Sequence, residues 1–382
     1  MTALPTARPE EVGLSAARLR AMGAVLEERI AAGHLPGAVV LVARRGQVAW
    51  QEAYGRRDPA GGAPMRTDTI FRIYSMTKPL VSVGVMMLLE EGRLLLGEPI
   101  GKYLPDLAEM QVVAAGGGTV PAAAPITIQD LLRHTSGLTY EFRGNGPVQQ
   151  AYAAAGIARR EQSNADQVAT LGRLPLLHQP GTRWEYSRST DVLGRLIEVV
   201  SGQSLGAFLQ ARICGPLGMV DTGFHVPPAA QGRLAEGFAT DPDTGTAAVT
   251  LLEVREPPRF ESGGGGMVGT AADYLRFAQM LADGGQYQGT RLLSRKTVEL
   301  MASDHLGGIP GAGDILPLGH GFGLGFAVRK DRGVATAPGS VGSFFWIDPA
   351  ERLTAVFMMQ GVGQREYYRN LIRNLVYAAI AD

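Results

Sequence analysis

Cysteine is almost absent: Cys214 stands alone in a chain of 382 residues. A single thiol excludes an intramolecular disulfide framework and any zinc site built on several cysteines. An excess of one charge is missing too, because 36 basic side chains face 36 acidic ones. That balance excludes the electrostatic footprint of a nucleic-acid binder and argues against an anionic membrane surface as a partner. The longest apolar stretches, 37–43 and 81–89, fall well short of the ~20 residues that span a bilayer. The first eleven residues hold prolines and charges but no apolar core, so no secretory signal is expected and a cytoplasmic setting is. No H-E-x-x-H and no G-x-x-x-x-G-K-[ST] occurs, which removes the metalloprotease and P-loop readings. No cofactor and no metal are expected. Lysine is scarce as well: Lys78, Lys102, Lys296 and Lys330 are four of the 36 basic residues, and arginine supplies the rest. A GC-rich genome accounts for that ratio. Arginine stays protonated in proteins, so only these four can serve as proton acceptors near neutral pH.

What is present is globular in composition, 45% hydrophobic and 19% charged. Glycine numbers 51 residues, well above the usual ~7%, and so predicts many turns and close backbone approaches. Apolar spacing predicts an amphipathic helix over 15–32 and two antiparallel strands at 37–43 and 48–51. The segment 74–91 is apolar on nearly every side, which marks a buried helix. Helices are expected at 127–134, 164–172, 190–201, 205–213, 270–281 and 365–380, and strands at 322–329, 342–347 and 353–360. The fold class expected is therefore α/β in the α+β sense. One antiparallel sheet is built from both termini and flanked by helices, with a mainly helical inserted lobe. The expected division is an α/β lobe from 1–79 and 225–382 and a helical lobe from 80–224.

Two motif matches fail on context. Gly264 to Gly269 fits G-x-G-x-x-G, but no convincing strand feeds it and no ribose-binding acid follows at ~20 residues. It is better read as a glycine loop feeding a helix capped by Thr270 and Asp273. Gly202 to Gly206 fits G-x-S-x-G, but a helix precedes Ser204 where the nucleophile elbow needs a strand. Ser204 sits where a helix N-cap belongs.

The remaining candidate is Ser75-Met76-Thr77-Lys78, the only S-x-x-K in the chain. Ser75 lies at the start of the buried helix, and Lys78 falls on the same face one turn on. Pro79 is tolerable there because it is in the first turn. A serine hydroxyl needs a base within hydrogen-bond reach. A buried lysine either loses its proton by desolvation or holds its charge beside another base. A helix N-terminus also favours negative charge where an oxyanion forms. The competing reading is a capped core helix whose lysine reaches solvent.

The segment from Phe71 to Pro79 resembles the nucleophile segment of the serine β-lactamase and penicillin-binding superfamily, most of all the class C-related esterases called family VIII carboxylesterases. Leu131-Leu132-Arg133-His134-Thr135-Ser136-Gly137-Leu138 is similar to the LLxHTSGL segment of that family. The run from Pro180 to Ser187 resembles the segment bearing its tyrosine, and 216–219 and 264–273 also match. The resemblance implies that Ser75 is the nucleophile and that Lys78 and Tyr186 activate it as a coupled pair. It implies oxyanion donors at the backbone N–H groups of Ser75 and Ser340. It makes His134 structural; His320 either opens a strand or faces the cleft.

Two departures bear on substrate. The β-lactamase Y-x-N is here Tyr186-Ser187-Arg188, and the third motif, K-T-G in lactamases, aligns with Ala337-Pro338-Gly339. A cation that would grip a substrate carboxylate is missing from that motif, which disfavours β-lactams and peptidoglycan peptides. The expected function is a serine esterase acting on short-chain carboxylic esters. Its rivals are a β-lactamase or D-amino-acid peptidase, an acyltransferase of the same superfamily, and a non-catalytic binding protein. The expected partner is a small-molecule ester, with no nucleic acid and no membrane; nothing in the sequence specifies an oligomeric state.

Overall fold

The structure is a computed structural model that describes residues 4–311, 315–316, 319–330, 335–338, 342–361 and 365–382. Its centre is an eight-stranded sheet in which every neighbouring pair runs antiparallel. The N-terminal part gives β1 (Gly37–Arg44), β2 (Gln47–Asp58) and β3 (Ala63–Pro64). Two short strands outside that sheet, β4 (Phe71–Arg72) and β5 (Val268–Gly269), pair with each other. The C-terminal part gives β6 (His320–Phe322), β7 (Ala327–Arg329), β8 (Ala335–Pro338), β9 (Gly342–Asp348) and β10 (Leu353–Gln360). The order across the sheet is β6-β7-β8-β9-β10-β1-β2-β3. The expected sheet from both termini is thus closed where β1 meets β10, with Val40 opposite Phe357. The β1–β2 turn runs through Arg45 and Gly46, both at positive φ (56° and 78°), the conformation a two-residue hairpin of this hand requires.

Strand periodicity separates two cores. Ala38, Val40, Val42, Phe344, Trp346 and Phe357 pack outward against α1 (Ala16–Ala31) and the last helix. Val39, Leu41, Phe345, Ile347 and Val356 face the other way, into the larger core beneath the interior helices. Both faces are covered, so β1 and β10 are buried along their whole length and read as continuous apolar runs.

The interior helices are α2 (Thr77–Glu90), α3 (Ile128–Leu132), α4 (Pro147–Ala154), α5 (Asn164–Leu171), α6 (Ser189–Ser201) and α7 (Leu205–Leu209). After them come α8 (Ala271–Ala282), α9 (Arg295–Met301) and α10 (Arg365–Ala378). Several ends are capped as their residue types dictate. Thr127 accepts from Asp130 N, Ser163 from Asp166 N and Thr270 from Asp273 N. Ser204 accepts from Ala207 N, so the serine of the apparent nucleophile elbow is a helix cap.

Three expectations are corrected. The strand expected over 322–329 is two strands, β6 and β7, because Gly325 (φ 107°) turns the chain between them. The helix expected over 205–213 is regular only to Leu209 and continues as a wider π-turn from Gln210 to Cys214. Ser75 lies on a 3-10 turn, Tyr74–Met76, that leads into α2, rather than on the helix itself. Among the described residues no single helix is long and apolar enough to cross a membrane.

Candidate active site

Phe71 and Arg72 in β4 pair with Gly269 and Val268 in β5. This sets the chain entering Ser75 beside the chain leaving the glycine loop 263–266. Ile73 N donates to Met267 O at 3.0 Å, and Met267 N donates to Thr77 Oγ1 at 3.2 Å. From α8, the Tyr274 hydroxyl donates to Met76 O at 2.8 Å. The turn carrying Ser75 is therefore held on both sides. Tyr74 within it has φ of 42°, a left-handed backbone that a tyrosine adopts only when its surroundings fix it. Its hydroxyl accepts from Leu252 N at 2.9 Å.

Ser75 is partly exposed, whereas Lys78 is 2% exposed. Lys78 Nζ donates to Ser75 Oγ at 3.3 Å and to Gly264 O at 2.5 Å. The ammonium also lies 4.5 Å from the ring centre of Tyr186 and 5.5 Å from that of Tyr140. Burial works to strip its proton, but the two phenols outweigh burial and hold its pKa above the ordinary lysine value. Lys78 is accordingly a charged ammonium, the second of the two states the sequence allowed.

Tyr186 is half-buried on the loop before α6. Glu185 N donates to His134 O at 2.9 Å, which ties this loop to the segment after α3. A hydroxyl chain adds to the tie: His134 Nδ1 meets Ser187 Oγ at 3.1 Å, Ser187 meets Ser189 at 2.8 Å, and Ser189 meets Ser136 at 2.7 Å. The His134 ring lies 5.0 Å from the Tyr186 ring. Burial, aided by the charge on Lys78, holds His134 well below the usual histidine pKa, so it is a neutral spacer behind Tyr186. His320 opens the edge strand β6. Ser75, Lys78 and Tyr186 are thus brought together. Gly339 and Ser340, the rest of the aligned third motif and the expected second oxyanion donor, lie outside the described residues.

Sequence reasoning missed Tyr140. It is buried, and burial pushes its phenol up to about 12, with Lys78 pulling the other way. It is therefore a neutral hydrogen-bonding group beside the ammonium. Its one sequence signal is its place six residues after His134, in a segment already singled out. Arg188 was noted only as a departure from asparagine. It is buried, stacked 4.8 Å from the Tyr140 ring, and ion-paired with Glu141 at 2.6 Å and Asp191 at 3.2 Å. Asp191 Oδ1 also accepts from Ser262 Oγ at 2.6 Å and Gly264 N at 2.8 Å. Arg188 thus reaches Lys78 through Asp191 and Gly264. A Cβ at position 264 would meet the Tyr140 hydroxyl at 2.8 Å and the Asp191 carboxylate at 2.9 Å, so this glycine serves close approach rather than a dinucleotide.

A cavity of about 360 Å³ lined by Leu281, Arg295, Phe326 and Ile347 includes none of these groups. Among the described residues no group of histidine, cysteine, aspartate or glutamate side chains is arranged to hold a metal.

Ser75, the buried Lys78, Tyr140 and Tyr186 thus lie together, and comparison with known proteins places the chain that carries them. The family model described as Beta-lactamase matches residues 22–379. The chain belongs to the beta-lactamase family. Protein Rv1367c of Mycobacterium tuberculosis is 37% identical over 364 residues, covering 88% of each chain. Esterase EstB of Burkholderia gladioli is 34% identical over 356 residues, covering 88% of this chain and 87% of that one. Among solved structures, EstCE1, titled a hydrolase with promiscuous acyltransferase activity, superposes with a TM-score of 0.78 at 26% identity, covering 94% of this chain and 99% of that chain. Simvastatin synthase from Aspergillus terreus shares the fold, with a TM-score of 0.80 at 24% identity, covering 95% and 98% of the two chains. The chain is an enzyme of the serine hydrolase superfamily on the β-lactamase fold, with both esterases and acyltransferases among its relatives.

Proposed function

We propose that this enzyme is a serine esterase of the family VIII type, hydrolysing short-chain carboxylic esters through an acyl-enzyme at Ser75. The observation that carries the reading is the Lys78 ammonium, 3.3 Å from Ser75 Oγ and against the ring of Tyr186. A lysine that keeps its proton is not the base; this reading gives that role to Tyr186, acting as an anion beside the ammonium. Ser75 Oγ then bonds to the ester carbonyl carbon while its proton passes to Tyr186. The tetrahedral oxyanion is held by backbone N–H groups, those of Ser75 and Ser340 in the expected arrangement. It collapses, the C–O bond to the alcohol breaks, and the alkoxide takes the proton from Tyr186. Water repeats the sequence on the acyl-enzyme, releasing the acid. No cofactor enters any step.

Lys78 is committed to Gly264 and the phenols, and Arg188 to Glu141 and Asp191. Neither is open to a substrate carboxylate, which favours a neutral ester over a β-lactam. Acyl transfer to an alcohol is the second reading, favoured by a 28% identical relative named as a methylbutanoyltransferase, from Penicillium citrinum. A cytoplasmic setting without nucleic-acid or membrane partners completes the proposal.

A panel of nitrophenyl esters, anilides and a chromogenic cephalosporin tests it. The expected result is turnover of the esters only, with loss of about 10²–10⁴-fold in kcat/KM for Tyr186→Phe. Cephalosporin turnover rivalling that of the esters would refute it.

A further inference from the structure

Phe142 is 66% exposed, yet it stacks on Tyr140 with ring centres 4.7 Å apart and planes 20° from parallel. Single exposed apolar residues are ordinary. This one differs in what lies beneath it and in how it is held. The ring beneath faces Lys78 and lies 5.6 Å from the Tyr186 ring. The residues on either side are both anchored. Glu141 takes two hydrogen bonds from Arg188, at 2.6 and 3.3 Å, and Arg143 lies 3.7 Å from the carboxylate of Glu185. Arg143 N also closes a turn onto Tyr140 O at 3.1 Å. One face of Phe142 rests on the site wall, and fixed backbone presents the other to solvent.

The chemistry of the leaving group says which part of a substrate meets that face. The alkoxide expelled from the tetrahedral intermediate takes its proton from Tyr186, so the alcohol portion of the ester extends from the carbonyl on the tyrosine side. Moving outward on that side, Tyr140 borders Tyr186 and Phe142 borders Tyr140. A flat apolar group about two ring widths long, attached to the alcohol oxygen, reaches beyond the buried Tyr140 and comes to rest on the open face of Phe142.

We propose that Phe142 is an alcohol-binding shelf and that the esters preferred by this enzyme carry bulky, flat, apolar alcohols, aryl or fused-ring. The inference rests on the esterase reading for its choice of side. An alcohol held on this shelf after acylation is also placed to take the acyl group back, so the same face governs transfer to such acceptors.

The test compares kcat/KM for 2-naphthyl butyrate and methyl butyrate, which share an acyl group, in wild type and Phe142→Ala. The naphthyl-to-methyl ratio is expected to fall about tenfold, the scale of one lost stacking face, and to recover in Phe142→Trp. The ratio between 2-naphthyl acetate and 2-naphthyl hexanoate is expected to stay constant. An unchanged naphthyl-to-methyl ratio, or a loss that follows the acyl chain, overturns the proposal. A second arm needs no turnover: 2-naphthol is titrated calorimetrically into Ser75→Ala and into Ser75→Ala/Phe142→Ala. Weaker binding to the double variant supports the shelf even if no ester is hydrolysed, which would be the failure of the esterase reading alone. Equal binding, or none to either variant, overturns the shelf.

Discussion

Lys78 keeps its proton in a place where burial alone would remove it. Two phenols and a backbone carbonyl surround the ammonium, and their combined attraction exceeds the cost of desolvation. The same crowding makes the site intolerant of a wider cation. Lys78→Arg preserves charge but puts a planar guanidinium where one nitrogen now bonds both Ser75 and Gly264. Steady-state assays should find Lys78→Arg at least about 100-fold down in kcat/KM. Lys102, Lys296 and Lys330 are 55%, 76% and 49% exposed, and their arginine variants should match wild type. The sequence could single out Lys78 because the spacing to Ser75 is local. It could not single out Tyr140 or the protonation state of Lys78, because both follow from side chains brought together by distant segments.

The glycine loop 263–266 and the helix after it show what an element contributes. Its glycines are read from context as a loop feeding a capped helix, but the packing that requires them is visible only in three dimensions. A Gly264→Ala variant should fold and lose most of its activity, because the new methyl must displace the Tyr140 hydroxyl or Asp191. A near-normal melting temperature with kcat/KM down about tenfold or more would bear this out. At the start of α8, Asp273 caps the chain by accepting from Asp221 N and Thr222 Oγ1. Burial raises its carboxyl to about 6, against partial relief from those donors. A raised folded pKa contributes stability in full below the unfolded value, near 4, and loses it as pH rises through 6. Denaturation between pH 4 and 7 should therefore show a decline, of roughly 1–3 kcal/mol from this group, that flattens in Asp273→Asn.

Over the whole molecule, the arrangement legible in sequence was the sheet built from both ends, since β1, β9 and β10 are continuous apolar runs. Less legible were short elements whose pattern is too brief to have a period: α4, α9 and the split of β6 from β7 at Gly325. Joining β1–β3 to β6–β10 in one sheet makes local opening of the interior costly. Arg44 adds a tie between the ends, bonding Asp382 at 2.6 Å. Cys214, 1% exposed in the interior, reports on this. Burial, with the nearby Asp273 carboxylate, pushes its thiol up to about 12, so it is neither accessible nor a thiolate. An aromatic disulfide reagent should leave it unmodified in native protein and titrate one thiol in urea, with the midpoint of labelling matching that of circular dichroism. Rapid native labelling would contradict the packing described for the π-turn around it.

The central claim is that Ser75 becomes acylated. Rapid quenching of enzyme with excess nitrophenyl butyrate, followed by intact-mass and peptide analysis, tests it most directly. One butyryl adduct on the peptide bearing Ser75 is predicted, absent in Ser75→Ala, which should also lose turnover. Continued hydrolysis by Ser75→Ala, or an adduct on any other residue, would contradict the account.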